Sequence, residues 1–378
     1  MSFEKIIEQN KAWIDETFAK LDKKLSRLAV KSRDKIPYGS KNGVHDDKAA
    51  VDITYWTNGF WGGLMWLMYA ATGKDCYLDT AKNADRILDG AWKNLDGLHH
   101  DVGFMWHITA GAAYRLTGDA EARRVNLLAA MTLASRYNMN GDFIVAWNGE
   151  DHKGWSIIDS MMNIPQLYWA SRELKDDRYA QIAKRHADMA MRDHVRPDGS
   201  VAHIVSHTTD QPGVIETFGG QGCAVGSCWS RGASWALYGF VLSYIHTGDE
   251  KYLDTAKKVA HYFAANTAIN GWLPLIDFRA PDEAANRYDS TAGAIAACGM
   301  IEIAKHVPEH EKGLYLTAAI NILKAMDKAW CNWGEDDDGI LHYGSLRYGR
   351  EEHTHIIYGD YYFAEAVMKL KGLDFLPW

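Results

Sequence analysis

Asp159 is a carboxylate in a place where carboxylates are rare. It lies inside the apolar run Ile-Ile-Asp-Ser-Met-Met. An ionised carboxylate in such surroundings must be paired or must have a raised pKa. A carboxyl group with a raised pKa in a cleft is a candidate general acid, whereas a structural aspartate bonded to a tryptophan or to the backbone is the alternative. Asp159 is therefore the first candidate for acid catalysis.

Asp101 is the second candidate carboxylate. It follows His99 and His100 and opens an apolar, helix-like segment. Aspartate at a helix start often caps the free backbone N–H groups, and that role is the structural alternative. Paired carboxylates are also the usual machinery of glycoside hydrolysis. The sequence by itself leaves both roles open for Asp101.

Arg231 lies in the segment CWSRGASW, between Trp229 and Trp235. A guanidinium group is a natural clamp for a carboxylate, and indole rings offer flat faces for stacking. An ordinary salt bridge between two helices is the alternative for the arginine. Two carboxylates, one arginine and several tryptophans favour a glycosidase-like enzyme that acts on an acidic carbohydrate.

A repeated helical hairpin must carry these residues. Gly-Asp or Asp-Asp turns at 72–81, 117–124, 175–183 and 247–256 separate helices of two kinds. One kind is amphipathic, and the other is apolar nearly all round and therefore buried. The amphipathic helices are predicted at 3–25, 76–93, 119–137, 177–194, 249–266 and 313–331. The apolar helices are predicted at 59–72, 103–117, 158–173, 232–247, 290–305 and 360–371. Six alternating pairs predict an all-α fold, a closed (α/α)6 barrel, with an open helical array as the alternative.

The segments of unusual composition all precede the apolar helices. Since neighbouring helices alternate in direction, these segments should gather at one end of the barrel and form a pocket. They span 51–61, 98–104, 146–163, 202–235, 286–293 and 355–362.

Composition excludes several classes of protein. The 378 residues carry only 8 prolines and no linker-like stretch, so a single domain over 1–378 is expected. Lys and Arg are not interleaved with aromatic residues, so nucleic acid is not an expected partner. No apolar stretch of about 20 residues exists, and the charged N-terminus is not expected to act as a signal peptide. Five scattered cysteines favour reduced thiols in the cytoplasm. Neither a metal nor another cofactor is expected, because the histidines and glycines show no ligand spacing.

The chain resembles the unsaturated glucuronyl hydrolases of glycoside hydrolase family 88. The resemblance rests on separate motifs that keep their order over nearly the whole chain. These motifs are WTNGFW at 56–61, HHDVGF at 99–104, IIDSMMNIP at 157–165, CWSRGASWALYGF at 228–240, RYDSTAGAIAACGMIEIA at 287–304 and YGDYYFAEA at 358–366. It implies the (α/α)6 barrel and removal of a 4,5-unsaturated glucuronic acid from lyase-generated oligosaccharides, such as chondroitin or hyaluronan disaccharides.

The resemblance also implies residue roles. Asp159 would donate the proton and activate water, and Asp101 would be the second essential carboxylate. Arg231 and Gln221 would meet the acid group of the sugar, and Trp56 and Trp235 would stack on the ring. The other expected substrate-binding residues are His100, His203, Gly219, Trp229 and Ser345.

Some segments depart from the family pattern, and other activities remain open. The segment HIVSHTT at 203–209, Gly219 and Tyr358 differ from the usual family residues. All are expected to lie in the outer part of the site, where the second sugar would bind. An unsaturated rhamnogalacturonyl hydrolase is the alternative enzyme, and a sugar epimerase or isomerase of the same barrel type is a further one. A monomer or homodimer is expected.

Overall fold

The helical hairpins form a closed double ring in the computed structural model, which describes residues 2–281, 286–373 and 375–378. The helices are α1 (Phe3–Lys31), α2 (Lys48–Val51), α3 (Gly59–Thr72), α4 (Asp75–Leu88), α5 (Val102–Trp106), α6 (Ala110–Thr117), α7 (Ala120–Ala134), α8 (Pro165–Leu174), α9 (Asp177–Asp193), α10 (Ser230–Thr247), α11 (Glu250–Ala268), α12 (Ser290–His306), α13 (Glu309–Trp330) and α14 (Ile357–Lys371).

The ring closes through its first and last helices. The inner helix α14 packs on α12 and on α3, while the outer helix α1 packs on α13, α14 and α4. Every residue of α12 from Ser290 to Ala304 is buried, whereas α9 buries mainly one face. This division into buried inner helices and one-sided outer helices confirms the predicted (α/α)6 barrel, and the open array is wrong.

The turns between hairpin helices follow the predicted chemistry. Gly118 and Gly248 end α6 and α10 in the left-handed conformation, with φ of 74° and 70°. Such a conformation is easy for glycine because it has no Cβ. Asp119 and Asp249 then accept hydrogen bonds from the first backbone N–H groups of α7 and α11. The side chains of the turn thus end one helix and begin the next.

Two inner helices differ from the prediction. The second is interrupted between α5 and α6 at residues 107–109, where Thr109 has φ of −107° and ψ of −92°. The third does not begin at residue 158 as an α-helix. Residues Ile158–Met162 form a 3-10 helix, and α8 begins only at Pro165, whose missing N–H suits the first turn. Asp159 therefore lies in a tight turn between a strand and a helix.

Short strands lie among the loops. They are β1 (Ser40–Lys41), β2 (Val44–His45), β3 (Tyr137–Asn138), β4 (Phe143–Ile144), β5 (Trp155–Ile157), β6 (Ile204–His207) and β7 (Val214–Phe218). The strands β5, β6 and β7 form an antiparallel sheet, with Ile157 opposite Ile204 and Ile204 opposite Phe218. This sheet was not predicted, and it places Asp159 beside His203. Within the described residues, no helix has the length and apolarity needed to cross a membrane.

Candidate active site

The candidate residues lie where the inner helices begin. Trp56 opens a 3-10 turn before α3, Asp101 precedes α5, and Asp159 lies in the turn before α8. Trp229 precedes α10 and Asp289 caps α12. The segments predicted to gather at one end of the barrel therefore do so.

Asn163 connects the two candidate carboxylates. Its side-chain Nδ2 donates to Asp101 Oδ1 at 3.0 Å and to the backbone carbonyl of Asp159 at 3.3 Å. Its Oδ1 accepts from the backbone N–H of Phe104 at 2.8 Å. Asn163 is fully buried, so its amide holds one fixed orientation. The sequence motif contained this residue, but its role was not predicted.

Asp101 is nearly buried, and its carboxylate is turned towards Asn163. Within the described residues its side chain makes no capping hydrogen bond to α5, so the N-cap role is wrong. Burial raises the pKa of Asp101 well above its usual value, and the negative charge of Asp159 raises it further. The bond from Asn163 and the charge of Arg136 act in the opposite direction.

Asp159 faces His203. The Nε2 atom of His203 lies 3.4 Å from Asp159 Oδ1, and this oxygen has no hydrogen-bond partner among the described residues. The Nδ1 atom of His203 accepts from the backbone N–H of Gln221 at 3.0 Å. A neutral imidazole that accepts at Nδ1 carries its proton on Nε2. His203 therefore presents an N–H group towards Asp159.

Gly219 and Gly220 shape the loop behind His203. Gly220 has φ of +59°, and a Cβ atom there would lie 2.1 Å from His203 Nδ1. A Cβ on Gly219 would lie 2.6 Å from the backbone of Ala224. Both positions thus need glycine for close approach. Gly219, predicted to bind substrate, is placed here as part of a tight turn.

His100 and His99 lie beside Asp101. His100 Nε2 is 3.4 Å and His99 Nδ1 is 3.6 Å from Asp101 Oδ2. His100 Nδ1 is paired with the Ser160 hydroxyl at 2.9 Å. Burial lowers the pKa of His99 to about 4 and that of His100 well below its usual value. Both rings are thus neutral near pH 7.

Arg231 makes the inter-helix salt bridge that the sequence left open as the alternative. It is 1% exposed, and its Nη1 lies 2.7 Å from Asp289 Oδ2. Its two terminal nitrogens also donate to the carbonyls of Ser345 and Leu346 at 2.6 and 2.7 Å. The guanidinium lies 4.4 Å from the ring centre of Trp229. Contact between Arg231 and a substrate carboxylate would have to replace one of these bonds.

Gln221 and Ser345 hold the same loop. The Gln221 side chain donates to the Leu346 carbonyl at 2.5 Å. The Ser345 hydroxyl donates to the Tyr288 carbonyl at 2.6 Å, and Ser345 is fully buried. Tyr348 adjoins Gln221, since its N–H donates to the Gln221 carbonyl at 2.9 Å. Gln221 therefore connects the 219–222 loop to the 345–348 loop, whereas Ser345 connects the 345–348 loop to Tyr288, just before α12.

The aromatic residues form a layered floor. Half-buried Trp56 packs on Phe104 and Tyr358, with ring centres 5.4 and 5.2 Å apart. Trp235 has no exposed surface and packs on Phe104 at 5.1 Å. In this conformation Trp235 supports the floor and cannot stack on a sugar. Tyr358 is also fully buried beneath Trp56, so its expected place in the outer part of the site is wrong.

The fold and the site define a class of protein, a barrel glycosidase with two linked carboxylates. The chain matches the model of Glycosyl Hydrolase Family 88 over residues 28–362 and belongs to that family. An unsaturated chondroitin disaccharide hydrolase from Streptococcus pneumoniae is 35% identical over 327 residues, which cover 84% of this chain and 82% of that protein.

Solved structures of related enzymes agree with this fold. The crystal structure of an unsaturated glucuronyl hydrolase from Bacillus sp. GL1, responsible for the degradation of glycosaminoglycan, superposes with a TM-score of 0.88 at 31% identity and covers 95% of this chain and 97% of that chain. A mutant unsaturated glucuronyl hydrolase from Streptococcus agalactiae, complexed with dGlcA-GalNAc6S, has a TM-score of 0.80 at 26% identity, covering 97% of this chain and 93% of that chain. The protein is a glycoside hydrolase of the (α/α)6 barrel type.

Proposed function

We propose that this chain releases 4,5-unsaturated glucuronic acid from the non-reducing end of lyase-generated glycosaminoglycan oligosaccharides. The observation that carries the proposal is the pair Asp101 and Asp159, linked by Asn163 at the mouth of a family 88 barrel. Relatives named as unsaturated glucuronyl or chondroitin disaccharide hydrolases support the glucuronyl substrate over the pectin-derived one.

Asp159 is the proposed general acid and base. It donates a proton to C4 of the enol ether, and water adds at C5 while returning a proton to the same carboxylate. The resulting C5 hemiketal opens to a ketone and leaves a hemiacetal at C1. This hemiacetal collapses to an aldehyde, the C1–O bond to the second sugar breaks, and the second sugar leaves as an alcohol. The reacting bond is the ring double bond, so the rule that relates carboxylate separation to anomeric stereochemistry does not apply. Asp159 Oδ1, which lies beside His203 and has no hydrogen-bond partner within the described part of the chain, supports this assignment.

Asp101 and His100 are proposed to hold the sugar hydroxyls. Asn163 occupies one oxygen of Asp101 and leaves Oδ2 for other partners. His100 is fixed at Nδ1 by Ser160, which leaves Nε2 for the same side. Trp56 is the proposed stacking surface because it is the half-buried member of the aromatic floor. Arg231 and Gln221 are proposed to meet the substrate acid group after the 345–346 carbonyls move.

The proposed setting is one catalytic domain over residues 1–378, acting in the cytoplasm as a monomer or homodimer. All five cysteines are free thiols in the described residues, which supports a reducing compartment. Size-exclusion chromatography with light scattering measures the oligomeric state.

The test is loss of the ultraviolet absorbance of the conjugated double bond. Unsaturated chondroitin and hyaluronan disaccharides, which differ in linkage and sulfation, are incubated with the enzyme beside an unsaturated rhamnogalacturonan disaccharide. We expect turnover of at least one glucuronyl substrate at a rate well above that of the pectin-derived one. Absence of turnover across the whole panel would overturn the proposal.

A further inference from the structure

His99, His100 and Asp101 form a cluster with the composition of a transition-metal site. Among the described residues it is the one group of three or more His, Cys, Asp or Glu side chains whose ligand atoms all lie within 4.8 Å of one another. Asp101 Oδ2 is 3.4 Å from His100 Nε2 and 3.6 Å from His99 Nδ1. Ligand atoms at zinc distances in a tetrahedral site lie about 3.3 Å apart. His99 Nδ1 also accepts the backbone N–H of Asp101 at 3.5 Å, so an ion at this atom would replace that long hydrogen bond. The two separations themselves need only small movements to receive an ion.

Two of these candidate ligands have hydrogen-bond partners of the kind that usually support metal ligands. Metal-binding imidazoles usually use their second ring nitrogen in a hydrogen bond, and metal-binding carboxylates are themselves hydrogen-bonded. Here the Ser160 hydroxyl pairs with His100 Nδ1 at 2.9 Å. Asn163 donates to Asp101 Oδ1 at 3.0 Å. These contacts direct His100 Nε2 and Asp101 Oδ2 towards the same point.

Charges of both signs surround the cluster. The negative charge of Asp159 raises the pKa of Asp101, and the negative charge of Asp52 raises that of His99. Arg136 is the opposing positive charge, and it acts on Asp101 as well as on both histidines. Its Nε and Nη2 donate to the carbonyls of Val145 and Ala146 at 2.8 and 3.3 Å, and its Nη1 donates to Asn148 at 2.8 Å. The arginine is thus held by the 145–148 loop.

We propose that residues 99–101 bind one divalent transition-metal ion of the Zn²⁺ or Co²⁺ type, with the remaining coordination position taken by water, and that this ion inhibits the enzyme. Asp101 Oδ2 is the oxygen left free by Asn163. An ion that takes this oxygen and His100 Nε2 removes both from the substrate. The binding half of the proposal stands independently of the proposed function, while the inhibition half rests on it.

Binding is tested on the full chain after treatment with a chelator. We expect Zn²⁺ to bind with 1:1 stoichiometry by calorimetry, and Co²⁺ to give the visible absorption of a low-symmetry site with nitrogen and oxygen ligands. His99→Gln should weaken binding by about tenfold or more, because it removes a ligand. His310→Gln is the matched control, since His310 is exposed outside the cluster. Circular dichroism checks that each variant folds. His99→Asn is a second variant that also removes the His99 ligand.

Inhibition is tested with an unsaturated disaccharide. We expect Zn²⁺ to compete with substrate in the parent enzyme and in His310→Gln. For His99→Gln, with activity expressed relative to its own zinc-free rate, the same inhibition should require about tenfold more Zn²⁺. Equal Zn²⁺ affinity in the parent and in both folded His99 variants would overturn the site, as would no 1:1 binding. Binding without competition would overturn the inhibition. If the enzyme turned over no disaccharide, the proposed function would fail while calorimetry still decided the site.

Discussion

Asn163 donates a 3.0 Å hydrogen bond to Asp101 from an amide that also contacts the backbone of Asp159. Asn163 lies four residues after Asp159, and the intervening 3-10 turn brings the two into contact. The Oδ1 atom of the same side chain accepts a hydrogen bond from the backbone N–H of Phe104 in α5. One buried amide therefore fixes the relative position of two carboxylates that are 58 residues apart in the chain.

Replacing Asn163 with Asp should break the hydrogen-bonded link between Asp101 and Asp159. The variant keeps an oxygen for the Phe104 N–H but loses the donor to Asp101 and places a further acid beside it. A hydrogen bond to a charged group contributes about 1.5–3 kcal/mol, so we expect kcat to fall roughly tenfold to a hundredfold. Steady-state kinetics on the best disaccharide measures the change.

Asn126→Asp is the matched control for Asn163→Asp. Asn126 is also fully buried, but it is bonded to Gln166 and His107. We expect this control to lower thermal stability while largely keeping kcat. Equal losses of kcat in both variants would show that Asn163 acts only through stability.

Gly220→Ala should disturb His203. The new methyl group would lie 2.1 Å from His203 Nδ1 at a backbone φ of +59°. We expect the imidazole to move away from Asp159 and kcat to fall about tenfold or more, in line with displacement of a positioned catalytic group. The measurement is kcat beside the melting temperature.

Gly226→Ala provides the control for backbone strain. Gly226 has φ of +79° in the same loop, but a Cβ there would meet no atom of the described residues within 4 Å. We expect a stability loss of about 1 kcal/mol with little change in kcat. If Gly226→Ala lowers kcat as much as Gly220→Ala does, contact with His203 is not the cause.

Much of this organisation could be predicted from the sequence. Helical periodicity and the Gly-Asp turns predicted the six hairpins, since local spacing determines them. The alternating direction of these helices also predicted that Asp101, Asp159 and Trp56 lie at one end of the barrel. The partners within the site could not be predicted in the same way. Arg231 meets Asp289, and Asp159 meets His203, through contacts between distant segments, and the β5–β7 sheet that brings His203 near depends on such pairing.

Asp85 should make stability depend on pH. Burial raises its pKa from 3.8 to about 8, and the indole N–H of Trp66 donates to it at 2.9 Å. The folded state therefore binds a proton that the unfolded state has released. This group's contribution to stability is full below about pH 4 and is lost as pH rises towards 8, on the order of 1 kcal/mol per pH unit.

Asp85→Asn removes that titration and retains an oxygen for the Trp66 N–H. We expect the variant to gain stability relative to the parent as pH rises from 5 to 8, measured by urea unfolding at each pH. Asp79→Asn, exposed on the same helix, controls for the loss of one carboxylate. A stability difference for Asp85→Asn that stays constant over this range would contradict the buried, protonated carboxyl.

Asp159→Asn tests the central claim most directly. The amide keeps the shape of the side chain but cannot transfer a proton, and general acid catalysis contributes about 10²–10⁴ in rate. On the disaccharide that the parent enzyme turns over fastest, kcat should fall by about that factor. Binding of the same disaccharide, measured by calorimetry, and the melting temperature should stay near those of the parent. Retention of kcat within a few-fold of the parent would contradict the assignment of Asp159 as the proton donor.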